Sequence, residues 1–164
     1  MIIKNLSKNF FINLSFILLI FLFDRISKIY VIYLDNKLPG SEIFSSKYLN
    51  INLIWNEGIA FGLFSFSQSN FYNLITLIIV IIIFIILILI IKTKGIERFC
   101  LSMVFGGALG NLYDRMVHKA VPDFIDFHIR DLHWFIFNVA DIFITMGVIM
   151  LILFEVLKTK KYNE

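Results

Sequence analysis

Two aspartates of this chain close the same four-residue pattern, Asn-x-x-Asp: Asn111-Leu112-Tyr113-Asp114 and Asn138-Val139-Ala140-Asp141. On a helix this spacing sets the amide and the carboxylate on one face. Two carboxylates brought within about 3 Å cannot both ionise cheaply and tend to share one proton. Such a pair is an acid and a base in one site. The ionised member activates water, while the protonated member polarises an amide carbonyl and later protonates the leaving amine. The chemistry needs no metal, cofactor or covalent nucleophile. The pair titrates as a unit, so the two roles stay unassigned. The competing reading is local: each aspartate caps its helix or pairs with a neighbour, such as Asp114 with Arg115.

The elements that would position these groups are membrane helices. Hydrophobic residues make up 59% of the 164 residues and charged ones only 16%, with a mean hydropathy of +0.86; soluble domains carry about 25% charged residues. A core of this size cannot hide so much apolar surface, so lipid must cover it. Four stretches are long and apolar enough to supply the roughly 20 residues that span a hydrocarbon core of about 30 Å: residues 10–34, 71–91, 96–117 and 134–157. An all-α membrane protein, a four-helix bundle in a single domain spanning 1–164, is expected. Lys4 and Lys8 precede an apolar run as in a secretory signal, but Asp24 and Arg25 follow it without a small-x-small cleavage site, which predicts an uncleaved first helix.

Charge placement orients the bundle. Eight basic residues (Lys4, Lys8, Lys92, Lys94, Arg98, Lys158, Lys160, Lys161) fall on one side and five (Lys37, Lys47, Arg115, Lys119, Arg130) on the other. The positive-inside rule then puts both termini in the cytoplasm, with residues 35–70 and 116–133 facing outward. Partial alternation over Tyr48 to Trp55 predicts a short strand in the first outer segment, as part of a sheet-like cap. The net charge of +3 is a matter of topology, not a nucleic-acid footprint. With Cys100 as the sole cysteine, no intrachain disulfide can form; it is expected to fill a small apolar space.

Ionisable residues inside spans are costly and need reasons. Asp24 and Lys28 stand four apart on the first helix, which predicts an ion pair with a structural or supporting role. Gly106 and Gly110 make a G-x-x-x-G spacing in the third helix, and Gly107, Gly110, Asn111 and Asp114 fall on one stripe. The glycines predict close helix packing that brings the carboxylates together.

Five strings, in order, resemble those of lipoprotein signal peptidase, the signal peptidase II family. They are Asp24-Arg25-Ile26-Ser27-Lys28; Asn56-Glu57-Gly58-Ile59-Ala60-Phe61; Gly106 through Arg115; Val121-Pro122-Asp123-Phe124; and Phe137-Asn138-Val139-Ala140-Asp141. The resemblance covers nearly the whole chain. It implies an aspartyl endopeptidase of the bacterial inner membrane with a small extracytoplasmic β-cradle and a catalytic pair at Asp114 and Asp141. The implied substrate is a prolipoprotein cut before a diacylglyceryl-modified cysteine, at the outer face of the membrane. By the same resemblance Asn111 and Asn138 support the dyad. Asp24, Lys28, Asn56, Gly107, Gly110, Arg115, Asp123 and Phe137 match further motif positions that hold substrate or structure. Globomycin-type cyclic peptides are the implied inhibitors, membrane lipid the surroundings, and a monomer the expected state. Ile59 departs from the small residue usual in the family.

Three rival readings make different predictions. His118, His128 and His133 lie in the last outer connection, but they match no H-E-x-x-H spacing, and solvated loop histidines without a metal are expected. A transporter or channel subunit would use Asp24, Lys28, Asp114 and Asp141 as an ion path and show flux without proteolysis. A purely structural subunit would be indifferent to Asp114→Asn.

Overall fold

A computed structural model describes residues 2–37, 42–57, 68–129 and 132–163. In chain order the elements are α1 (Ile2–Lys37), β1 (Phe44–Ser45), β2 (Leu49–Asn56), α2 (Gln68–Lys92), α3 (Gly95–His118), β3 (Val121–Ile129), β4 (Leu132–Phe137) and α4 (Val139–Asn163). The four strands form one antiparallel sheet in the order β1-β2-β3-β4.

Among the described residues three helices are long and apolar enough to cross a membrane: Phe10–Lys37, Tyr72–Lys92 and Val139–Thr159. Their outward faces carry exposed apolar residues such as Leu19, Ile26, Ile81, Ile85, Ile152 and Leu153, as lipid contact requires. The third expected span, α3, does not reach that apolarity. Its position explains why: α3 packs against α1, α2 and α4 together. Cys100, Ser102, Gly106, Gly107, Gly110 and Asp114 are all buried. A helix wrapped by three others is solvated by protein and tolerates polar residues that lipid would reject.

The glycines of α3 make that wrapping possible, and they face two ways. A Cβ on Gly106 would meet Ile20 of α1 at 3.0 Å, and one on Gly110 would lie 2.5 Å from Asp24 of α1. A Cβ on Gly107 would lie 2.5 Å from the Ala140 carbonyl of α4. The expected single stripe is therefore divided between neighbours. Ile17, Ile86, Ile90, Leu101 and Val104 fill the centre of the bundle.

The expected fourth helix is corrected at its start. Residues from 134 to 137 belong to β4, paired with β3, and the helix begins at Val139. Asn138 marks the change. Its side-chain Oδ1 accepts from the Asp141 N–H at 3.1 Å, while the Asp141 Oδ2 accepts from the Asn138 N–H at 3.1 Å. This is a reciprocal cap, with aspartate in the third helical position. The strand expected over 48–55 is present as β2. The sheet closes the bundle end formed by the C-termini of α1 and α3 and the N-termini of α2 and α4; Val31, Phe124 and Val139 join them in a second apolar cluster. Lys119, with φ of 56°, takes the left-handed conformation that ends α3 and turns the chain into β3.

Candidate active site

Beneath the sheet the polar residues sort into two connected groups. The first is ionic. Asp24, Arg25 and Lys28 come from α1, and Asp114 from α3. Lys28 Nζ donates to Asp114 Oδ2 at 2.7 Å and pairs with Asp24 Oδ1 at 3.0 Å, the four-residue ion pair read from spacing. Arg25 donates to both Asp114 oxygens, one of them at 2.6 Å, and to Asp24 Oδ2 at 2.7 Å. Its guanidinium also lies 4.9 Å from the centre of the Tyr113 ring, a cation–π contact. The Ala140 N–H donates to Asp24 at 3.0 Å, which ties α4 to the group. Asp24, Lys28 and Asp114 are almost wholly buried. Two acids face two bases, so the cluster is neutral, as buried charge must be.

The second group is held by amides. Asp123, on β3, accepts from Asn138 Nδ2 at 2.6 Å through one oxygen and from Asn56 Nδ2 at 2.9 Å through the other. Register explains the second bond: Asp123 pairs with Ile54 and Asn56 with Val121, so Asn56 is Asp123's diagonal neighbour on the same face. Asp141, in the first turn of α4, accepts from Asn111 Nδ2 at 2.7 Å and from the Asn138 backbone N–H. Asn138 thus holds both carboxylates, one by its side chain and one by its main chain. Asn111 joins the groups, since its Oδ1 accepts from Lys28 at 2.8 Å.

Burial pushes the Asp123 carboxyl above its ordinary pKa. The bonds from Asn56 and Asn138 lower it, the charge of Asp141 raises it and that of Lys28 lowers it, leaving a net rise. Asp123 also lines an open cleft of about 400 Å³ with Ile54, Trp55, Asn56, Glu57 and Ile136.

The expected pairing of Asp114 with Asp141 is not the arrangement found. Both Asp114 oxygens are taken by Arg25 and Lys28, and the carboxylate is 1% exposed, so it has no free face for water or substrate. The carboxylate that shares Asn138 with Asp141 is Asp123. Arg115 is not Asp114's partner either; its guanidinium lies 5.5 Å from the Tyr72 ring centre, and its carbonyl accepts from the Tyr72 hydroxyl at 2.9 Å. Phe137 packs on Phe127 with ring centres 5.7 Å apart, on the sheet. Gly58 through Phe61, Ile59 included, and Arg130 lie outside the described residues.

Sequence reasoning gave Arg25 no role, although it is the cation with the most bonds to the ionic cluster. Its position in an apolar run, next to Asp24, was the available signal. The histidines also differ from expectation. His128 and His133 are not loop residues but cross-strand partners on β3 and β4. His118, at the end of α3, lies against Trp55 with ring centres 5.3 Å apart.

The model of a family described as Signal peptidase (SPase) II matches residues 16–157. A lipoprotein signal peptidase of Pelagibacter ubique (strain HTCC1062) is 51% identical over 158 residues, 96% of this chain and 95% of the relative. One of Anaplasma phagocytophilum (strain HZ) is 42% identical over 141 residues, 85% of this chain and 88% of the relative. A solved structure described as a bacterial membrane enzyme superposes with a TM-score of 0.70 at 31% identity, covering 86% of this chain and 90% of that one.

Proposed function

The chain belongs to the signal peptidase II family, multi-pass membrane proteases that remove signal peptides from prolipoproteins, and from that premise we propose that its catalytic pair is Asp123 and Asp141. The observation that carries this reading is Asn138, whose two bonds hold both carboxylates on neutral donors. A carboxylate held by amides is free to gain and lose a proton. Asp114, clamped by an arginine and a lysine, has both oxygens occupied.

With one proton shared, the ionised member draws a proton from water as the oxygen attacks the scissile carbonyl. The protonated member donates to that carbonyl oxygen. Collapse of the tetrahedral species breaks the C–N bond, and the amine leaves with a proton from the dyad. Asn56, Asn111 and Asn138 position the carboxylates. Asp24, Arg25, Lys28 and Asp114 brace α1 against α3 and α4, with Gly107 and Gly110 allowing the approach.

The bond cut precedes a diacylglyceryl-modified cysteine in this reading. Each buried methylene of the acyl chains contributes about 0.8 kcal/mol to anchoring, so the bond stays near the headgroups. The cleft under the sheet meets it there, at the outer face of the bacterial inner membrane. α3 is the fourth span, both termini are cytoplasmic by their basic residues, the chain acts as a monomer, and globomycin-type peptides occupy the same cleft.

The test is cleavage of a diacylglyceryl-modified prolipoprotein by purified, reconstituted protein. Wild type should cut with or without EDTA, while Asp123→Asn and Asp141→Asn should not. Full activity in folded Asp123→Asn, with loss of catalysis in folded Asp114→Asn, would return the dyad to Asp114.

A further inference from the structure

The β3–β4 hairpin gathers a second group of ligating side chains that the peptidase chemistry does not use. Asp126 and His128 stand two apart on β3 and share a face. A bulge decides what lies opposite. Asp126 pairs with Ile136 and His128 with His133, so β4 places one more residue than β3 between these two rungs. Regular register would set Trp134 across from His128; the extra residue brings His133 there instead, onto the face of Asp126 and His128.

Three distances follow from that shift. His133 Nδ1 lies 2.8 Å from Asp126 Oδ2. The imidazoles of His128 and His133 stack with centres 5.2 Å apart. One ligand atom from each of the three residues lies within 4.8 Å of the others.

An aspartate–histidine ion pair accounts for only part of this. Asp126 is 6% exposed, and its remaining oxygen, Oδ1, has no hydrogen-bond partner among the described residues. Neither has the buried Nδ1 of His128. Buried polar atoms left without partners are costly and uncommon. Here two of them sit beside a third donor, and the only ion-pair partner of Asp126 among the described residues is His133. A cation bound among the three would satisfy both atoms. Two imidazole nitrogens and one carboxylate oxygen form a donor set for zinc and its first-row neighbours, whereas calcium and magnesium prefer oxygen alone.

We propose that Asp126, His128 and His133 form a binding site for a divalent transition metal, with zinc the best fit. The fourth coordination position opens on the side of His133, whose side chain is 55% exposed. The metal clips β3 to β4. β3 carries Asp123 and β4 runs directly into Asn138 and Asp141; backbone pairing already places them, so the clip adds heat stability to the hairpin and cleavage does not depend on it. It takes no part in bond cleavage, because strand alternation turns Asp126 to the face opposite Asp123. The inference does not rest on the peptidase reading.

The experiment is titration of full-length, tag-free protein in detergent with Zn²⁺ after chelator treatment, followed by heat, together with Co²⁺ absorption. Wild type should take up one ion per chain and show the intense visible bands of four-coordinate Co²⁺, and Zn²⁺ should raise its Tm. His133→Ala and His128→Ala should each weaken binding by more than the ~10–100-fold that loss of an outer-sphere partner costs. His118→Ala should bind as wild type does. His133 is exposed, so its variant keeps the fold, and its melting without metal supplies the control. If wild type binds Zn²⁺ no better than the His128→Ala/His133→Ala double variant, Asp126 and His133 are an ordinary ion pair and the site does not exist.

Discussion

The two polar groups beneath the sheet hold four aspartates in opposite ways. Asp24 and Asp114 are matched by Arg25 and Lys28, cation against anion, at 2.7–3.0 Å where Lys28 and Asp24 are concerned. Asp123 and Asp141 are met by Asn56, Asn111 and Asn138, which bring hydrogen bonds and no charge. The contrast separates two uses of a buried acid. A cation stabilises only the ionised form, fixing the charge and making the acid structural. An amide donor accommodates a carboxylate yet leaves its protonation open, which acid–base chemistry needs.

The largest expected effect breaks the amide-held side. Asp123→Asn and Asp141→Asn should each lower cleavage by roughly 10²–10⁴-fold, the range for general acid–base groups, while thermal melting in detergent stays near that of wild type. Single-turnover assays with lipidated substrate separate this from lost binding.

Next, Asp114→Asn breaks the ionic side and should do the reverse. It leaves Arg25 and Lys28 facing Asp24 alone. Removing one partner from a buried ionic network costs about 3–5 kcal/mol, so melting temperature and folded yield should fall. Cleavage per folded molecule should stay within tenfold, provided the remaining fold is scored by gel filtration. A folded Asp114→Asn as inert as Asp123→Asn would erase the distinction.

Asn138→Ala should mix the two outcomes, since Asn138 both caps α4 and holds Asp123. Loss of a cap costs about 0.5–2 kcal/mol, and cleavage should fall further than that change in folded fraction explains. Rescue by Asn138→Asp should be poor, because it adds a third anion.

The smallest effect concerns pH. The Asp123 pKa is raised by folding, so the folded chain binds more protons than the unfolded one in the window above the ordinary aspartate value of about 3.9. Stability from this group is full below that value and is lost as pH rises through the folded pKa. Asp123→Asn removes that loss. Its melting temperature should match wild type at low pH and equal or exceed it at neutral pH, whereas Asp114→Asn should be the less stable at neutral pH. Melting curves across pH for the three proteins check the sign.

The sequence told these groups apart only in part. The Ile-rich α2 was readable from its unbroken apolar length, and β2 from its partial alternation. The run from Trp134 to Phe137 was not, since a short apolar stretch suits helix and strand alike; pairing with β3 decided it. The pattern Asn-x-x-Asp misled for a related reason. In α4 it spans a helix start, where the spacing is that of a cap and the third residue beyond it, whereas in α3 the same spacing lies within the helix and aims its acid at α1. Asp123 was legible as a motif position, but its link to Asp141 runs through Asn138 and its bond from Asn56 through the β2–β3 register, which are long-range facts. The bulge that sets His133 beside Asp126 had no local signature.

The burial of α3 among the other helices also bears on how the protein is made. In the proposed topology α1 and α2 leave the ribosome before it. Arg25 and Lys28 precede Asp114 by 89 and 86 positions, so its counter-ions are already in the bilayer when this acid arrives. α3 then enters as one half of a salt rather than as a free anion, and Gly106 and Gly110 let it slide against α1, already in place. Until that moment Asp24 is the only acid beside Arg25 and Lys28, and the stretch of α1 from Asp24 to Lys28 carries one uncompensated positive charge. The order of charges along the chain is therefore also an order of assembly, in which the least lipid-soluble helix is drawn in by a debt its predecessor left open.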